Sequence, residues 1–344
     1  MAKILVTGGT GYIGSHTVVE LQEEGMEVVI VDNLSNSERE VLDGITSITG
    51  IKPYFEEIDL RDRTATFSVF EKYPDIHAII HFAALKAVGE SVENPLAYYE
   101  NNLFSLIHLL EAMKHFNIDN MVFSSSCTVY GEPDKLPVSE NALLKKANSP
   151  YGNTKQICED ILRDTMNSSK GKGVVSLRYF NPIGAHPSAS IGELPLGVPN
   201  NLVPFITQTA AGLRDCLSVF GDDYNTPDGS AIRDYINVVD LAKAHVKAIR
   251  RLLNKKQLSE FEVFNLGTGR GLSVLEIINA FEGITGQKLS YKIVDRREGD
   301  IEKVYADTSY ANSELGWKAE KGIEETLQSA WLWEMKIRSN NKST

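Results

Sequence analysis

The side chains best suited to acid–base chemistry are a phenol and an ammonium four residues apart, Tyr151 and Lys155. Ser149 is a good N-cap and Pro150 suits the first helical position, so a helix is predicted to begin here. Residues four apart share a helix face, which points both side chains into the same space. A free phenol has a pKa of ~10, and one nearby cation lowers a pKa by ~1–3 units. Tyr151 is therefore a candidate general base, although most pairs with this spacing are ordinary helix surface.

A glycine-rich turn near residue 10 indicates a binding site for a dinucleotide cofactor beside this base. Strand patterns at 3–7 and 28–31 flank the turn and a helical pattern, and the second strand ends in Asp32. Glycines at this spacing let a backbone approach a pyrophosphate at a helix N-terminus, and Asp32 would bind adenosine ribose hydroxyls while repelling a 2′-phosphate. The pattern predicts a site for NAD rather than NADP, and the positive ring of oxidised nicotinamide would further lower the pKa of Tyr151. The predicted turn residues are Gly8, Gly11, Tyr12, Ile13 and Gly14.

Strands and helices continue to alternate, with strand patterns at 55–58, 76–82 and 121–123 and a long helical pattern at 95–116. Three of these strands end in Asp59, Ala83 and Ser126. Because ligands bind at the carboxyl ends of parallel strands, these ends should meet at one site. The predicted fold class is α/β, a Rossmann-type doubly wound parallel sheet. Asp59 could instead cap a helix, and Asn101 and Asn102 in the long helix could bind cofactor or satisfy neighbouring backbone.

The second half of the chain predicts a smaller lobe. Regular alternation stops after a strand pattern at 174–178, and many prolines and glycines follow. We predict that residues 1–180 form an NAD-binding Rossmann domain to which 236–266 contribute. Residues 181–235 and 267–344 are predicted to form a loop-rich α/β lobe that binds the substrate.

Composition excludes several classes of function. A formal net charge of −11 over 344 residues makes nucleic acid and anionic membrane poor partners. Three cysteines without paired spacing and seven histidines without metal-ligand spacing predict no disulfide framework and no metal site. We expect His81 in the core and His186 in a structural loop. With no signal-like segment and no apolar run near ~20 residues, we expect a cytoplasmic protein.

Longer strings are similar to those of one enzyme family. The glycine turn, Ser126 and the Tyr151/Lys155 pair resemble the extended short-chain dehydrogenase/reductase superfamily. Within it, the chain resembles the UDP-glucose 4-epimerase family from about residue 3 to about residue 335. The strings that carry the resemblance are LKAVGES at 85–91, RYFNPIGAHP at 178–187, PNNL at 199–202, RDY at 233–235 and RREGD at 296–300.

The resemblance implies tightly held NAD that is not consumed, a UDP-hexose substrate, and a homodimer through the long helix after Pro95 and the helix of Tyr151. Tyr151 would take the proton of the sugar 4-hydroxyl while hydride passes from carbon 4 to nicotinamide, and hydride would return to the other face of the rotated 4-keto sugar. Ser126 would bind the 4-oxygen, and Lys155 the nicotinamide ribose. The further NAD contacts it implies are Asn33, Asn36, Asp59, Leu60, Phe82, Ala83, Ala84, Lys86, Asn101, Ser124 and Phe180.

For the UDP-sugar, the resemblance implies contacts from Lys86, Asn181, Asn201, Leu202, Ser218, Phe220, Arg233, Tyr235, Arg297, Asp300 and Val304. Guanidinium groups suit phosphate, so Arg233 and Arg297 would bind the diphosphate. Asp300 would bind the uridine ribose, and Phe220 would wall the uracil. Each assignment has an ordinary alternative, because arginine runs are often solvated, phenylalanines are usually core, and Asn-Pro pairs usually form turns.

Two other functions stay open. A sugar-nucleotide 4,6-dehydratase of the same superfamily places an acidic pair just after the serine, whereas this chain has Cys127 and Thr128. Elimination of water would then lack its acid and base. A non-catalytic NAD-binding module would not need a phenol base, so Ser126, Tyr151 and Lys155 argue against it.

One departure from the family pattern concerns substrate range. Counting from Asp300, Val304 falls where many bacterial members carry a bulky tyrosine beside carbon 2 of the sugar. The smaller side chain should leave room for an N-acetyl group, so UDP-N-acetylglucosamine and UDP-N-acetylgalactosamine are expected as further substrates. A shift of one residue would instead turn Tyr305 inward and close the pocket.

Overall fold

The computed structural model of the chain describes residues 1–297 and 300–341, so Glu298 and Gly299 of the RREGD string lie outside the described residues. The strands are β1 (Lys3–Thr7), β2 (Glu27–Asp32), β3 (Tyr54–Glu57), β4 (Ile76–His81), β5 (Asn120–Ser126), β6 (Gly173–Tyr179), β7 (Asn181–Ile183), β8 (Leu217–Phe220), β9 (Ile232–Asn237), β10 (Phe261–Leu266), β11 (Gly271–Ser273), β12 (Tyr291–Val294) and β13 (Lys303–Val304). The α-helices are α1 (Tyr12–Glu23), α2 (Val41–Thr49), α3 (Arg63–Lys72), α4 (Val88–Glu93), α5 (Pro95–His115), α6 (Pro150–Asn167), α7 (Leu202–Ala210), α8 (Val238–Leu253), α9 (Val274–Thr285) and α10 (Ile323–Asn341).

Seven parallel strands form the main sheet in the order β10-β6-β5-β4-β1-β2-β3. The strand order reverses beside β1, which is the arrangement of a doubly wound sheet and places a ligand crevice at the carboxyl ends of the strands there. The predicted fold class is therefore confirmed. The strand at Phe261–Leu266 is the edge strand next to β6.

Apolar residues on the strands of this sheet are buried on both faces. Ile4 and Val6 of β1 pack into the cluster covered by α1, α2 and α8, whereas Leu5 packs into the cluster covered by α3, α5 and α6. Successive strand residues point to opposite faces, so one short apolar run serves both layers. Each fully buried side chain of this size contributes ~1.5–3 kcal/mol, which makes the sheet a rigid base for residues at its edge.

A smaller sheet follows in the second half of the chain. Strand β9 pairs in parallel with β7 and β13 and in antiparallel with β11, while β8 and β12 form a separate parallel pair. Helices α7, α9 and α10 pack around a third apolar cluster beside these strands. The sequence indicated only a loop-rich region here because the strands are two to six residues long and bear polar side chains.

Candidate active site

Helix α6 carries the predicted base and begins where the sequence indicated. The Ser149 hydroxyl accepts a hydrogen bond from the Gly152 amide at 3.1 Å, and Pro150 is the first helical residue. Asn102 of α5 donates to the Thr154 hydroxyl at 3.0 Å and to the Leu85 carbonyl at 3.1 Å. The start of α6 is therefore held by its own cap and by a neighbouring helix.

The electrostatics of Tyr151 differ from the prediction. Burial raises the pKa of this phenol to about 12, and the Ser126 hydroxyl opposes the shift. The Lys155 ammonium donates to the Ser124 carbonyl at 2.7 Å and lies 4.8 Å from the centre of the Phe123 ring. Lys155 is not among the causes of this shift, and the predicted lowering of the phenol pKa by Lys155 together with bound nicotinamide stays a prediction. Loss of hydration outweighs the hydrogen bond of Ser126, because burial disfavours the phenolate.

Lys155 is itself strongly affected by burial. Its pKa is lowered to about 8 because the buried ammonium loses its hydration, and the neighbouring Cys158 and Glu159 oppose this shift. The side chain nevertheless lies on the same helix as Tyr151, as the four-residue spacing predicted. Both reach the carboxyl end of β5.

Ser126 is the last residue of β5 and is held from both sides. Its backbone pairs with Tyr179 of β6, and its hydroxyl accepts from the Thr128 amide at 3.2 Å. This bond caps a short 3₁₀ helix, Cys127–Tyr130. Ser126 is 9% exposed, and its hydroxyl faces Tyr151. The structure thus brings together the serine and the phenol that the sequence singled out.

The glycine turn between β1 and α1 is closely packed against the end of β4. Gly8 has a φ of +70°, and a Cβ there would lie 2.7 Å from the Ala83 amide nitrogen. A Cβ at Gly14 would lie 2.1 Å from the Gly8 carbonyl oxygen. Gly11 is the N-cap of α1, and no side chain of the described residues caps this helix. Its first amide groups are therefore available to an anion at the helix N-terminus, where a pyrophosphate fits.

Asp32 lies at the carboxyl end of β2 and organises the neighbouring loop. Its carboxylate accepts from the Thr10 amide at 3.2 Å, the Leu34 amide at 3.0 Å and the Ser37 hydroxyl at 3.3 Å. A carboxylate has about four acceptor positions, so capacity is left for a ribose hydroxyl. The predicted position of Asp32 beside the glycine turn is correct.

The predicted adenine-side residues lie close together, except that Asn36 is exposed without a bonded partner among the described contacts. Asn33 donates to Asp59 at 3.4 Å, and the Arg61 guanidinium, through hydrogen bonds to Asp59, lowers the pKa of that carboxyl. Helix α3 is capped by Asp62, whose carboxylate accepts from the Ala65 amide at 3.0 Å. The alternative that Asp59 is the helix cap is therefore wrong.

Other predicted cofactor residues line the ends of β4 and β6. Phe82 lies 4.7 Å from the His245 ring, and Ala83 approaches Gly8. Asn101 donates to Asn102, which satisfies the backbone of Leu85 at both its amide and its carbonyl. For Asn102 the backbone-satisfying alternative is correct. The remaining predicted positions are Leu60 and Phe180, both buried, and Ala84, half-buried.

The two arginines predicted to bind the diphosphate each contact another residue predicted to bind the UDP-sugar. Arg233 of β9 pairs with Asp300, and its guanidinium also donates to the Ile232 carbonyl at 2.9 Å. The Arg297 guanidinium lies 4.1 Å from the centre of the Phe220 ring. Phe220 is half-buried, so its assignment to the core is wrong. Ser218 shares its strand face, because residues two apart on a strand point the same way.

Arg296 is solvated, as the alternative reading of the arginine run predicted. Its guanidinium donates to the Asp223 carboxylate at 2.6 Å and lies 4.0 Å from the Tyr224 ring centre. It is exposed. Arg297 is exposed as well, so the two arginines differ in the aromatic ring that each contacts and not in burial.

A residue that the sequence did not single out, Glu193, joins two predicted substrate contacts. Its carboxylate accepts from Asn201 at 2.6 Å and pairs with Lys86 at 3.4 Å. Its carbonyl accepts from the Trp333 indole at 2.9 Å, which anchors the segment to α10. No motif marks Glu193, since its contacts with Lys86 and Trp333 join residues more than 100 positions apart in the chain. Leu202 follows Asn201 as the first residue of α7.

The register of the final short strand decides which side chain faces inward. Val304 is 5% exposed and packs in a cluster with Phe180 and Val129. Tyr305 points to the other side, where a Cβ on Gly271 would lie 3.1 Å from its ring. The one-residue shift considered from the sequence is therefore wrong. Asn181 and Tyr235 pair in register on β7 and β9 beside this region.

His81 and His186 make contacts that point to a structural role for each. His81 is 2% exposed and its Nδ1 contacts the Thr7 hydroxyl at 2.8 Å. His186 contacts the Ser188 hydroxyl at 2.8 Å within its loop. Within residues 1–297 and 300–341, no group of three or more His, Cys, Asp or Glu side chains could hold a metal ion. The same part of the chain contains no helix long and apolar enough to cross a membrane.

The doubly wound sheet, the glycine turn, and the serine, phenol and ammonium near the carboxyl end of β5 define a Rossmann-type fold of the short-chain dehydrogenase/reductase class. A family model described as GDP-mannose 4,6 dehydratase matches residues 5–330. A UDP-glucose 4-epimerase of Bacillus subtilis (strain 168) is 52% identical over 340 residues, covering 99% of each chain. On this evidence the chain belongs to the UDP-glucose 4-epimerase family.

Solved structures agree. A UDP-glucose 4-epimerase from Stenotrophomonas maltophila, with bound NAD and formylated UDP-arabinopyranose, has a TM-score of 0.95 and 47% identity, covering 99% of this chain and 100% of that one. The enzyme from Bifidobacterium longum, in complex with NAD+ and UDP, has a TM-score of 0.94 and 45% identity, covering 98% of this chain and 99% of that one.

Proposed function

We propose that this chain interconverts UDP-glucose and UDP-galactose by inverting carbon 4 of the sugar, with NAD held throughout the reaction. The observation that carries the proposal is the half-buried Tyr151 phenol facing Ser126, at the edge of the sheet where the glycine turn opens. Family membership at about half identity over nearly the whole chain supports it.

NAD fits the residues present, because Gly8 and Gly14 allow the tight turn between β1 and α1, and no side chain of the described residues caps the start of α1. The uncapped start of α1 would bind that pyrophosphate, Asp32 the adenosine ribose, and Lys155 the nicotinamide ribose. Bound NAD would supply the acceptor that takes hydrogen with its electron pair from carbon 4 and returns it, and its positive ring would favour the phenolate of Tyr151.

Tyr151 and Ser126 would handle the proton. Ser126 would hydrogen-bond the sugar 4-oxygen, and Tyr151 would accept the hydroxyl proton as carbon 4 is oxidised and give it back as carbon 4 is reduced. Tyr151 is half-buried beside Ser126, so both hydroxyls would reach the same sugar oxygen.

The second lobe would hold the UDP group. Arg233 and Arg297 would bind the diphosphate, Phe220 would wall the uracil, and Asp300 would bind the uridine ribose. Asn181 and Asn201 would contact sugar or phosphate. Because Arg233 already pairs with Asp300, this ion pair would have to rearrange when the UDP group binds.

Dehydration is less well supported. Burial raises the pKa of Cys127 to about 12, so this thiol stays protonated at neutral pH, and Thr128 is no stronger an acid. Neither replaces an acidic pair. The description of the matching family model is compatible with either reaction at the level of the wider family.

The proposal is tested with purified enzyme, UDP-galactose and no added NAD. We expect UDP-glucose as the product and NAD in the extract of the denatured protein. A 4-keto-6-deoxy product would establish the dehydratase instead, and NAD retention without any turnover would favour the binding module.

We also propose that UDP-N-acetylglucosamine and UDP-N-acetylgalactosamine are substrates, because Val304, which packs in the cluster of Phe180, is much smaller than a tyrosine at the same position. Val304→Tyr should lower kcat/KM for UDP-N-acetylglucosamine by about tenfold or more through a steric clash. Turnover of UDP-galactose by the same variant is the internal control. If the parent enzyme does not turn over the N-acetyl sugar, this extension of the proposal is wrong.

We further propose the division into an NAD-binding domain of residues 1–180 with 236–266 and a substrate lobe of 181–235 and 267–344. A homodimer through α5 and α6 is proposed because Leu96, Phe104 and Ile107 lie exposed on one side of α5. A cytoplasmic location remains a prediction.

A further inference from the structure

A buried carboxylate lies on β9 between two residues that the proposed function assigns to the UDP-sugar. Asp234 follows Arg233 and precedes Tyr235 on this strand, and it is 0% exposed. Successive strand residues point to opposite faces, so the Asp234 side chain points away from its two neighbours. The proposed reaction has not used this residue so far. Burying a charged group is costly unless it is hydrogen-bonded, so its partners indicate why it is there.

Four donors satisfy the Asp234 carboxylate. Thr268 donates to Oδ1 through its backbone amide at 2.8 Å and through its hydroxyl at 2.7 Å. The amides of Gly269 and Ala306 donate to Oδ2 at 3.0 Å and 3.1 Å. Three of these donors are backbone amides, which cannot accept a hydrogen bond. The group that binds them must therefore be an acceptor at both of its ends.

The first of the two bonded segments leads into the strand on one side of Arg233. Thr268 and Gly269 lie between β10, the edge strand of the main sheet, and β11. Strand β11 pairs with β9 so that Leu272 lies opposite Arg233. The carboxylate therefore ties this part of β9 to the end of the main sheet.

The second bonded segment follows the strand on the other side of Arg233. Ala306 comes two residues after β13, in which Val304 pairs with Arg233. Asp300, the ion-pair partner of Arg233, comes three residues before the same strand. Strand β13 has only two residues, so it has few ladder bonds of its own to fix its register on β9. The bond from Ala306 to Asp234 supplies a further constraint on that register.

We propose that Asp234 is a positioning residue that holds the Arg233 guanidinium where the diphosphate binds, by fixing the segments beside β11 and β13. The inference rests on the proposed function, because Arg233 is assigned to the diphosphate there. A guanidinium binds phosphate through donors in a fixed planar geometry, so a small displacement of its strand weakens the contact. Asp234 is fully buried and would act only through its neighbours.

Asp234→Asn tests this role, because it keeps the size of the side chain but replaces one acceptor oxygen by a donor. Whichever way the amide group turns, its NH2 faces a backbone amide that also donates. We expect Kd for UDP, measured by titration calorimetry, to rise about tenfold or more, and KM for UDP-galactose to rise with it. The NAD content should match that of the parent, and kcat should change by less than about threefold, because uniform binding is what is lost.

A double-mutant cycle shows whether the effect passes through Arg233. Arg233→Met removes the guanidinium and should itself weaken UDP binding. When Asp234→Asn is added to Arg233→Met, Kd for UDP should rise by less than about twofold further, because the group that Asp234 positions is already absent. A general loss of structure would weaken binding by the same factor in both backgrounds, and that result would overturn the inference.

Gly267→Ala displaces the same carboxylate without changing any charge, and it serves as the test if Asp234→Asn does not fold. An added Cβ at Gly267 would lie 2.4 Å from Asp234 Oδ2, and the φ of this glycine lies outside the left-handed region. We expect the same rise in Kd for UDP with full NAD content. A folded Gly267→Ala protein that binds UDP as tightly as the parent would contradict the proposed role.

Asp240 provides the matched control, because it is 1% exposed and also anchors a distant segment through backbone amides. It accepts from Glu320 at 2.9 Å and from Lys321 at 2.8 Å. Asp240→Ala leaves these amides without their acceptor, so Tm should fall while Kd for UDP stays unchanged. Equal weakening of UDP binding in this control, or an unchanged Kd in Asp234→Asn, would overturn the inference alone. A parent protein that binds no UDP would overturn the proposed function and this inference with it.

Discussion

Tyr151 is a phenol that the fold keeps protonated at neutral pH, since burial raises its pKa to about 12. Its nearest helper, Ser126, favours the phenolate, but not enough to reverse the effect of burial. A base of this kind works only when positive charge comes close to it. The proposed reaction therefore depends on the charge of bound NAD and of Lys155 together.

Tyr151→Phe should keep the helix, the packing and the bound NAD while removing the proton carrier. We expect the rate to fall by ~10²–10⁴-fold, the range typical of general acid–base catalysis. The measurement is kcat for UDP-galactose, with NAD assayed after denaturation.

Tyr73→Phe is the matched control, because burial also raises the pKa of this phenol to about 12, yet it bonds Glu56 beside the far edge strand. It should have near-normal activity. Near-normal turnover of Tyr151→Phe would mean that another residue is the base.

The position of Tyr151 could be predicted from sequence, but its electrostatics could not. Ser149, Pro150 and the four-residue spacing to Lys155 are local signals, and local signals determine where a helix begins. The pKa shift depends on how much water the folded chain excludes. Glu193 was missed for a similar reason, because two of its partners, Lys86 and Trp333, come from distant segments.

At the scale of elements, the turn between β1 and α1 depends on the absence of side chains. The Gly14 position faces the Gly8 carbonyl, and the Gly8 position faces the backbone of Ala83. A methyl group at either site must displace backbone rather than a flexible side chain. The turn therefore has little freedom to adjust to substitution.

Gly14→Ala should displace the turn, since its Cβ would lie 2.1 Å from the Gly8 oxygen. We expect loss of retained NAD and a lower Tm, both measured on the purified protein. Gly283→Ala is the matched control, because that glycine lies within α9, nothing is within 4 Å of its added Cβ, and alanine is the better helix former. Full NAD retention by Gly14→Ala would contradict the proposed cofactor site.

The main sheet could be predicted from the chain and the smaller sheet could not. Strands β1, β2, β4 and β5 are continuous apolar runs bounded by turns, a pattern typical of buried parallel strands. Strand β9 contains Arg233 and Asp234, and it pairs with segments on both sides of it along the chain. Such pairing has no local periodicity to reveal it.

At the scale of the whole molecule, the exposed side of α5 is the feature that the monomer does not use. Leu96 is 81% exposed and Phe104 is 49% exposed, in a helix whose other side is buried against α3 and α6. Apolar surface of this kind commonly marks an interface between subunits.

Phe104→Glu should therefore convert a dimer to a monomer, because a carboxylate would be buried without a partner at the interface. Sedimentation of the two proteins at equal concentration measures the change. Leu258→Glu, at a leucine that is 72% exposed in a loop, is the control and should leave the mass unchanged. A monomeric parent protein would contradict the proposed homodimer.

The Tyr12 hydroxyl donates to the Gly184 carbonyl at 2.6 Å, which ties the first turn of α1 to the segment after β7. That segment is fastened in turn to α10, where the Ser329 hydroxyl accepts from the Ala185 amide at 3.0 Å. A dinucleotide leaving the crevice by way of this turn would have to loosen a contact made by a segment outside the main sheet. We therefore expect bound NAD to exchange slowly with free dinucleotide.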